Sequence, residues 1–152
     1  LLWATAGVNR PDNNLRVYPV AMGIQDIFVY VFNAQGVYKY DALEHSLTLI
    51  KSGDHRDKTG MQNFVKTASV NLVYVQDASL WKIKNAPENL INQWGYAHIG
   101  AVMQNAYLYA ASQGWNAVVR GSFEREYLEK FLDLSADQHI RLIHSIGKAK
   151  TK

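Results

Sequence analysis

The sequence predicts an α+β domain: a mainly antiparallel sheet flanked by helices, with one long, buried central helix. Three observations predict it. Runs rich in β-branched and aromatic residues recur between residues 26 and 51 with only short polar turns between them. Residues 70–75 are almost continuously apolar, as a strand covered on both faces should be. Residues 88–113 have helical character but are apolar nearly all the way round from Trp94 onward, the pattern of a helix covered on most sides. With 152 residues, 48% of them hydrophobic, the chain suits one domain, residues 1–152, with a real core.

In chain order, residues 1–6 read as the last turn of a helix, with Gly7 as its stop. An apolar half-helix is an odd beginning for a domain, so further chain is expected upstream. Residues 8–18, with Asn9, Pro11, Asp12, Asn13 and Asn14, read as loop. Strands follow at 26–32, 36–40 and 46–51. Residues 55–66 are expected to form a short helix capped by Asp54. The strand at 70–75 comes next, and then the helix at 88–113, ended by Gly114. One domain of this size can hardly cover that helix, so a second subunit is its simplest cover; Gly95, Gly100 and Ala101 are small enough for close helix approach. A short extended piece at 117–119 precedes an amphipathic helix at 123–132, with Tyr127, Leu128, Phe131 and Leu132 on one face. A last strand at 140–146 is expected to end at Gly147. The order β-β-β-α-β-α-(β)-α-β is that of an α+β fold.

Composition excludes several classes. Cysteine is absent, which removes disulfides, thiolate metal sites and thiol nucleophiles. The net charge of +3 is too mild to argue for nucleic acid. No stretch approaches the roughly 20 apolar residues of a membrane helix, and no export signal is visible at the start of the chain. The expected compartment is therefore cytoplasmic, with an upstream, removed export signal left open. Arg10, Arg16, Lys148, Lys150 and Lys152 gather near the two ends. They read either as solvated charge or as a site for one anionic group such as a phosphate.

Chemical motifs are sparse. There is no G-x-G-x-x-G and no P-loop. The five histidines never fall at metal-ligand spacing. Asp54-His55-Arg56-Asp57 has catalytic residue types but sits at a predicted helix start, where polar residues cap and solvate. Serine, histidine and aspartate occur without a nucleophile-elbow context. No catalytic side chain and no metal site is assigned. Such poverty of acid–base groups suits a protein whose redox chemistry is carried by a cofactor.

Several segments, read in order, resemble the FMN-dependent nitroreductase family, and within it a short branch related to thiazole/oxazole-forming (SagB-type) dehydrogenases. Leu1-Leu2-Trp3-Ala4-Thr5-Ala6-Gly7-Val8-Asn9-Arg10-Pro11 is similar to that branch's LLWAA-G-NRP helix end. Arg16 to Asp26 sits where the family has R-T-A-P-S-A-x-N-x-Q-x, and Gly36-Val37-Tyr38-Lys39-Tyr40-Asp41 matches its GxYxYD hairpin. Gly100-Ala101-Val102-Met103-Gln104-Asn105, with Leu108, Ala110 and Ala111, matches its G-x-x-x-QN-x-x-L-x-AA helix. Gly114 and Val118-Val119-Arg120-Gly121 resemble the turn that follows.

The resemblance implies a nitroreductase-like fold and a homodimer with FMN at the interface. It implies hydride transfer from NAD(P)H through the flavin to a nitroaromatic, a quinone or a similar acceptor. Arg16 and the segment with Pro19, Val20, Ala21 and Gly23 would touch the flavin, and Gln62 its ring or ribityl chain. Val118, Val119, Arg120 and Gly121 would offer backbone N–H groups to the ring. Arg120 can also be read as a plain surface charge. Lys150, and next Lys148, would meet the phosphate. The chain departs from the family pattern in three places. The family's N-terminal Arg-x-Ser-x-Arg arm lies ahead of the first residue; Val20 and Gly23 stand where the family has Ser and Asn; and the closing GYP reads Gly147-Lys148-Ala149. These departures leave a second reading open: a dimeric, non-catalytic relative with weak or lost flavin binding.

Overall fold

The computed structural model describes residues 1–83 and 86–148. In chain order the elements are α1 (Leu2–Ala6), β1 (Val8–Arg10), β2 (Leu15–Arg16), β3 (Ile27–Phe32), β4 (Gly36–Asp41), β5 (Ser46–Ser52), β6 (Val70–Asp77), α2 (Glu88–Ser112), β7 (Trp115–Arg120), α3 (Arg125–Phe131) and β8 (Gln138–Lys148). Six strands form one sheet in the order β5-β4-β3-β6-β8-β7, and every neighbouring pair in it is antiparallel.

Period-2 alternation sorts the strand residues onto two faces. Val29, Val31, Leu72, Tyr74 and Ile146 face α2, where Ile99, Val102, Ala106 and Ala110 close the larger core. Tyr30, Phe32, Val73, Val75, Ile140 and Ile143 face the other way, against Leu128 and Leu132. β6 lies between β3 and β8 and is buried from Asn71 to Asp77, as its apolar run requires. Each fully buried large side chain contributes about 1.5–3 kcal/mol, so this strand anchors both layers.

Several expectations need correction. Residues 8–16, read as loop, form a small hairpin of β1 and β2 around a 3-10 turn at Pro11–Asn13. Residues 55–66, read as one helix, form two 3-10 turns, Arg56–Thr59 and Asn63–Lys66, on either side of an extended Gly60. His55, not Asp54, takes the N-cap position of the first turn, although Asp54 Oδ1 accepts the Arg56 N–H at 3.1 Å. Gly147 lies inside β8 rather than ending it; its missing side chain lets Ser69 approach. Tyr127 turns away from the buried side of α3 and is exposed. Gly7 ends α1 as expected, with an extended backbone, φ −71°, and glycine is required there since a side chain would overlap Trp3.

The long helix α2 is buried along one face only, at Gly95, His98, Ile99, Val102, Ala106 and Ala110. Leu90, Trp94 and Leu108 are exposed in the single chain, Leu108 to 61%. With Ala97 and Ala101 they form an apolar stripe at helical spacing. Gly95 approaches this chain's own sheet, where a side chain would overlap Gln76, and Gly100 has open space beside it.

Candidate functional site

The residues singled out by sequence fall into two groups. Of the first, Val118 and Lys148 line a cavity of about 370 Å³ between the turn at 63–68 and the β7–β8 edge, together with Phe64, Thr67 and Ser145, while Gln62, Val119, Arg120 and Gly121 are near it in sequence but not in its lining. Antiparallel pairing of β7 with β8 sets Val118 opposite Ser145 and Arg120 opposite Ile143. Gln62 precedes the wall residue Phe64, and its Oε1 is buried without a hydrogen-bond partner. Gly60 brings Gln62 and Arg120 together, since a side chain there would overlap the Arg120 guanidinium and crowd Gln62 Oε1.

Arg120 is not the surface charge that one reading allowed; it is 6% exposed. Its Nη1 donates to the Thr59 carbonyl at 2.7 Å, and its Nε and Nη2 donate to Ser145 Oγ at 3.2 and 3.0 Å. Nη2 also reaches Asn71 Oδ1 at 3.3 Å, and Ser145 Oγ bonds Asn71 Oδ1. Burial pushes the guanidinium down to about 10. Its side chain is thus spent on holding the cavity floor. The Val119 N–H donates to the Tyr107 hydroxyl of α2 at 2.7 Å, so it is already engaged. Gly121 and Lys148 are exposed. Lys150 lies outside the described residues.

The second group is the segment around residues 16–23. Arg16 donates through Nε to Gln25 Oε1 at 2.8 Å and through Nη1 to the Ala6 carbonyl at 3.2 Å. Arg16 also lines a second cavity, about 300 Å³, beside Phe28, Lys39 and Tyr40. Pro19 is exposed, while Val20 and Ala21 are half-buried. Ala21–Gly23 makes a 3-10 turn with Met22 and Gly23 in left-handed conformations, φ 55° and 73°. Asn and Gly tolerate that conformation best. Gly23, where the family has Asn, therefore preserves the turn and drops the side-chain amide.

None of residues 16–23 lines the 370 Å³ cavity. The groups meet α2 at different points: Ala21 at His98, Val119 at Tyr107. On an α-helix those positions lie roughly 13 Å apart along the axis and about 180° apart around it.

Sequence reasoning missed a third feature, a buried polar cluster behind residues 19–23. Asp26, fully buried, accepts from His98 Nδ1 at 2.7 Å, Gln76 Nε2 at 2.8 Å and Trp81 Nε1 at 2.8 Å. Its members come from four separate stretches of chain, so no local spacing betrays them.

The model of the nitroreductase family matches residues 1–148. The chain belongs to the nitroreductase family. A solved structure of a protein assigned as a nitroreductase in Ralstonia eutropha JMP134 is similar to this family member at 39% identity and TM-score 0.89, over 99% of this chain and 71% of that one. The Escherichia coli microcin synthetase McbBCD complex, solved with truncated pro-MccB17 bound, contains a chain with TM-score 0.83 at 17% identity, over 99% of this chain and 62% of that one. The NADPH:FMN oxidoreductase of Vibrio harveyi, solved with NAD+, has TM-score 0.65 at 17% identity, over 88% of this chain and 55% of that one. The last two likenesses are of fold alone. No curated protein gives a match. Membership of the nitroreductase family supports a general oxidoreductase. No described helix of the chain is long and apolar enough to cross a membrane.

Proposed function

We propose that this nitroreductase-family chain pairs with a second copy along α2 and binds FMN in the seam. It would accept hydride from NAD(P)H and reduce a nitroaromatic, quinone or similar acceptor. One observation carries the reading. The candidate flavin contacts lie on opposite flanks of a helix whose free side bears an apolar stripe. In a pair whose two-fold axis runs along that stripe, roughly parallel to α2, segment 19–23 of each copy would lie on the same side of the seam as the partner's cavity, a self-complementary arrangement.

The donor set fits a flavin. Phe64 and Val118 give the cavity apolar walls for a planar ring. The orphaned Gln62 Oε1 can accept a ring N–H or a ribityl hydroxyl. Lys148 at the rim supplies positive charge for a phosphate, with Lys150 as its proposed companion. Among the expected backbone donors, Val119 serves indirectly: its bond to Tyr107 fixes β7 and so aims the turn at Arg120 and Gly121. FMN, when bound, supplies the two-electron relay, so no titrating side chain is required.

A second reading, a dimer that has lost flavin, is favoured by Val20 and Gly23, which bring no polar side chain to the segment that would face the ring. Light scattering and an FMN titration of the purified chain separate the two. The proposal expects a dimer that takes up FMN and whose yellow absorbance bleaches when reduced nicotinamide is added anaerobically. A dimer indifferent to FMN supports the second reading. A monomer that keeps its fold overturns the seam.

A further inference from the structure

We propose that Asp26 and His98 form a latch that fixes segment 19–23, and that this latch sets how tightly the seam holds a flavin without touching it. The flavin part of the inference rests on the function proposed above; the latch itself does not.

The hydrogen bonds determine the tautomer. His98 Nε2 accepts the Ala21 N–H at 2.7 Å, so the ring's proton sits on Nδ1 and is donated to Asp26 Oδ1. The other Asp26 oxygen is held by Gln76 and Trp81. Gln76 is pinned in turn: its Nε2 also donates to the Ile91 carbonyl at 2.9 Å, its Oε1 accepts from Arg141 Nε at 2.9 Å, and Gly95 packs against its carboxamide. The Trp81 ring stacks on His98 with centroids 6.1 Å apart and planes 16° apart, so the imidazole has little room to turn.

All of this rigidity is directed at one backbone amide. The turn beyond it has little else to hold it, for Met22 and Gly23 are exposed and left-handed. A non-glycine residue at positive φ is uncommon and persists where its surroundings impose it. A buried carboxylate bonded to a neutral imidazole is a poor stabiliser compared with packed apolar side chains. What it offers here is a lone pair at a defined position, which fixes where residues 19–23 present themselves.

The test uses two substitutions that split the imidazole's roles. His98→Asn keeps a donor near the Nδ1 position for Asp26 and has no acceptor at the Nε2 position. His98→Gln places an acceptor there. Hydrogen exchange at the Ala21 amide is followed in flavin-free protein, FMN affinity by titration, and stability by thermal melting. In His98→Asn, Ala21 exchange should rise and FMN affinity fall, each roughly tenfold, the size of one lost hydrogen bond. His98→Gln should restore both, with the two variants melting together. Should His98→Asn fail to fold, Ala21→Pro removes the donor instead. Val20 is already extended, φ −130° and ψ 141°, as the residue before a proline must be, and this variant should lose flavin affinity to the same degree. Equal Ala21 exchange in wild type and both variants overturns the latch. Faster exchange with unchanged FMN affinity overturns its link to the flavin. If the wild type takes no FMN, the proposed function fails, and the exchange contrast still decides the latch.

Discussion

His144 lies wholly inside the sheet face under α2, its Nδ1 bonded to the Tyr74 hydroxyl at 3.1 Å and its ring centroid 4.4 Å from that of Tyr107. Its Nε2 is buried without a partner. Burial first, then the nearby Arg120 charge, push the imidazole down to about 4 from an ordinary 6.5. The unfolded chain therefore takes up a proton before the folded one does. The stability from keeping His144 neutral is complete above pH 6.5 and is lost as pH falls toward about 4. The whole effect is about 3 kcal/mol. Thermal melts between pH 7.5 and 4 should show it, and His144→Gln should flatten the profile in that window. An unchanged slope in the variant would assign the effect to other groups. From sequence this histidine was one of five without metal spacing, and nothing local distinguished it. The same limit hid Asp26, Gln76 and the burial of Arg120. Pattern reading equates polarity with exposure, whereas these side chains are buried because partners far away in sequence satisfy them.

At the scale of elements, the strands of the large sheet were legible, while the small β1–β2 hairpin and the turns were not. β3, β4, β5 and β6 lie within a residue or two of where their β-branched, aromatic and apolar runs put them, because pleated strands favour such side chains along their length. The helix expected at 55–66 failed at Gly60, whose extended backbone, φ 165° and ψ 170°, breaks the segment into two turns. The break delivers the Thr59 carbonyl to Arg120 Nη1 at 2.7 Å. A glycine inside a helical pattern was the available signal; its purpose was not, since Arg120 is distant in sequence. A double-mutant cycle tests this account. Gly60→Ala should cost about 1–3 kcal/mol by overpacking, measured by denaturant unfolding. In an Arg120→Ala background the same substitution should cost much less, because the overlapped guanidinium is gone. Additive costs would mean that Gly60 is required for its backbone alone.

For the whole molecule, the question is whether one chain can complete its own site. Residues 19–23 and the cavity at the β7–β8 edge stand on opposite flanks of α2, so the proposed dimer makes each site from two chains. Complementation can test that. Ala21→Glu damages only the segment, while Val118→Glu with Lys148→Glu damages only the cavity; Val118 and Lys148 are exposed in the single chain, which protects the fold. Each variant alone should bind no FMN. When the two are unfolded and refolded together, chance pairing makes half of the dimers mixed. Each mixed dimer has one site with both faces intact and one with both damaged, so FMN binding should return to about a quarter of all sites. Adding Leu90→Glu and Leu108→Glu to both chains should abolish the recovery, because two charges on the apolar stripe prevent pairing while lying away from both halves of the site. If flavin were instead held within a single chain, mixing would restore nothing, since every site would carry one damaged half.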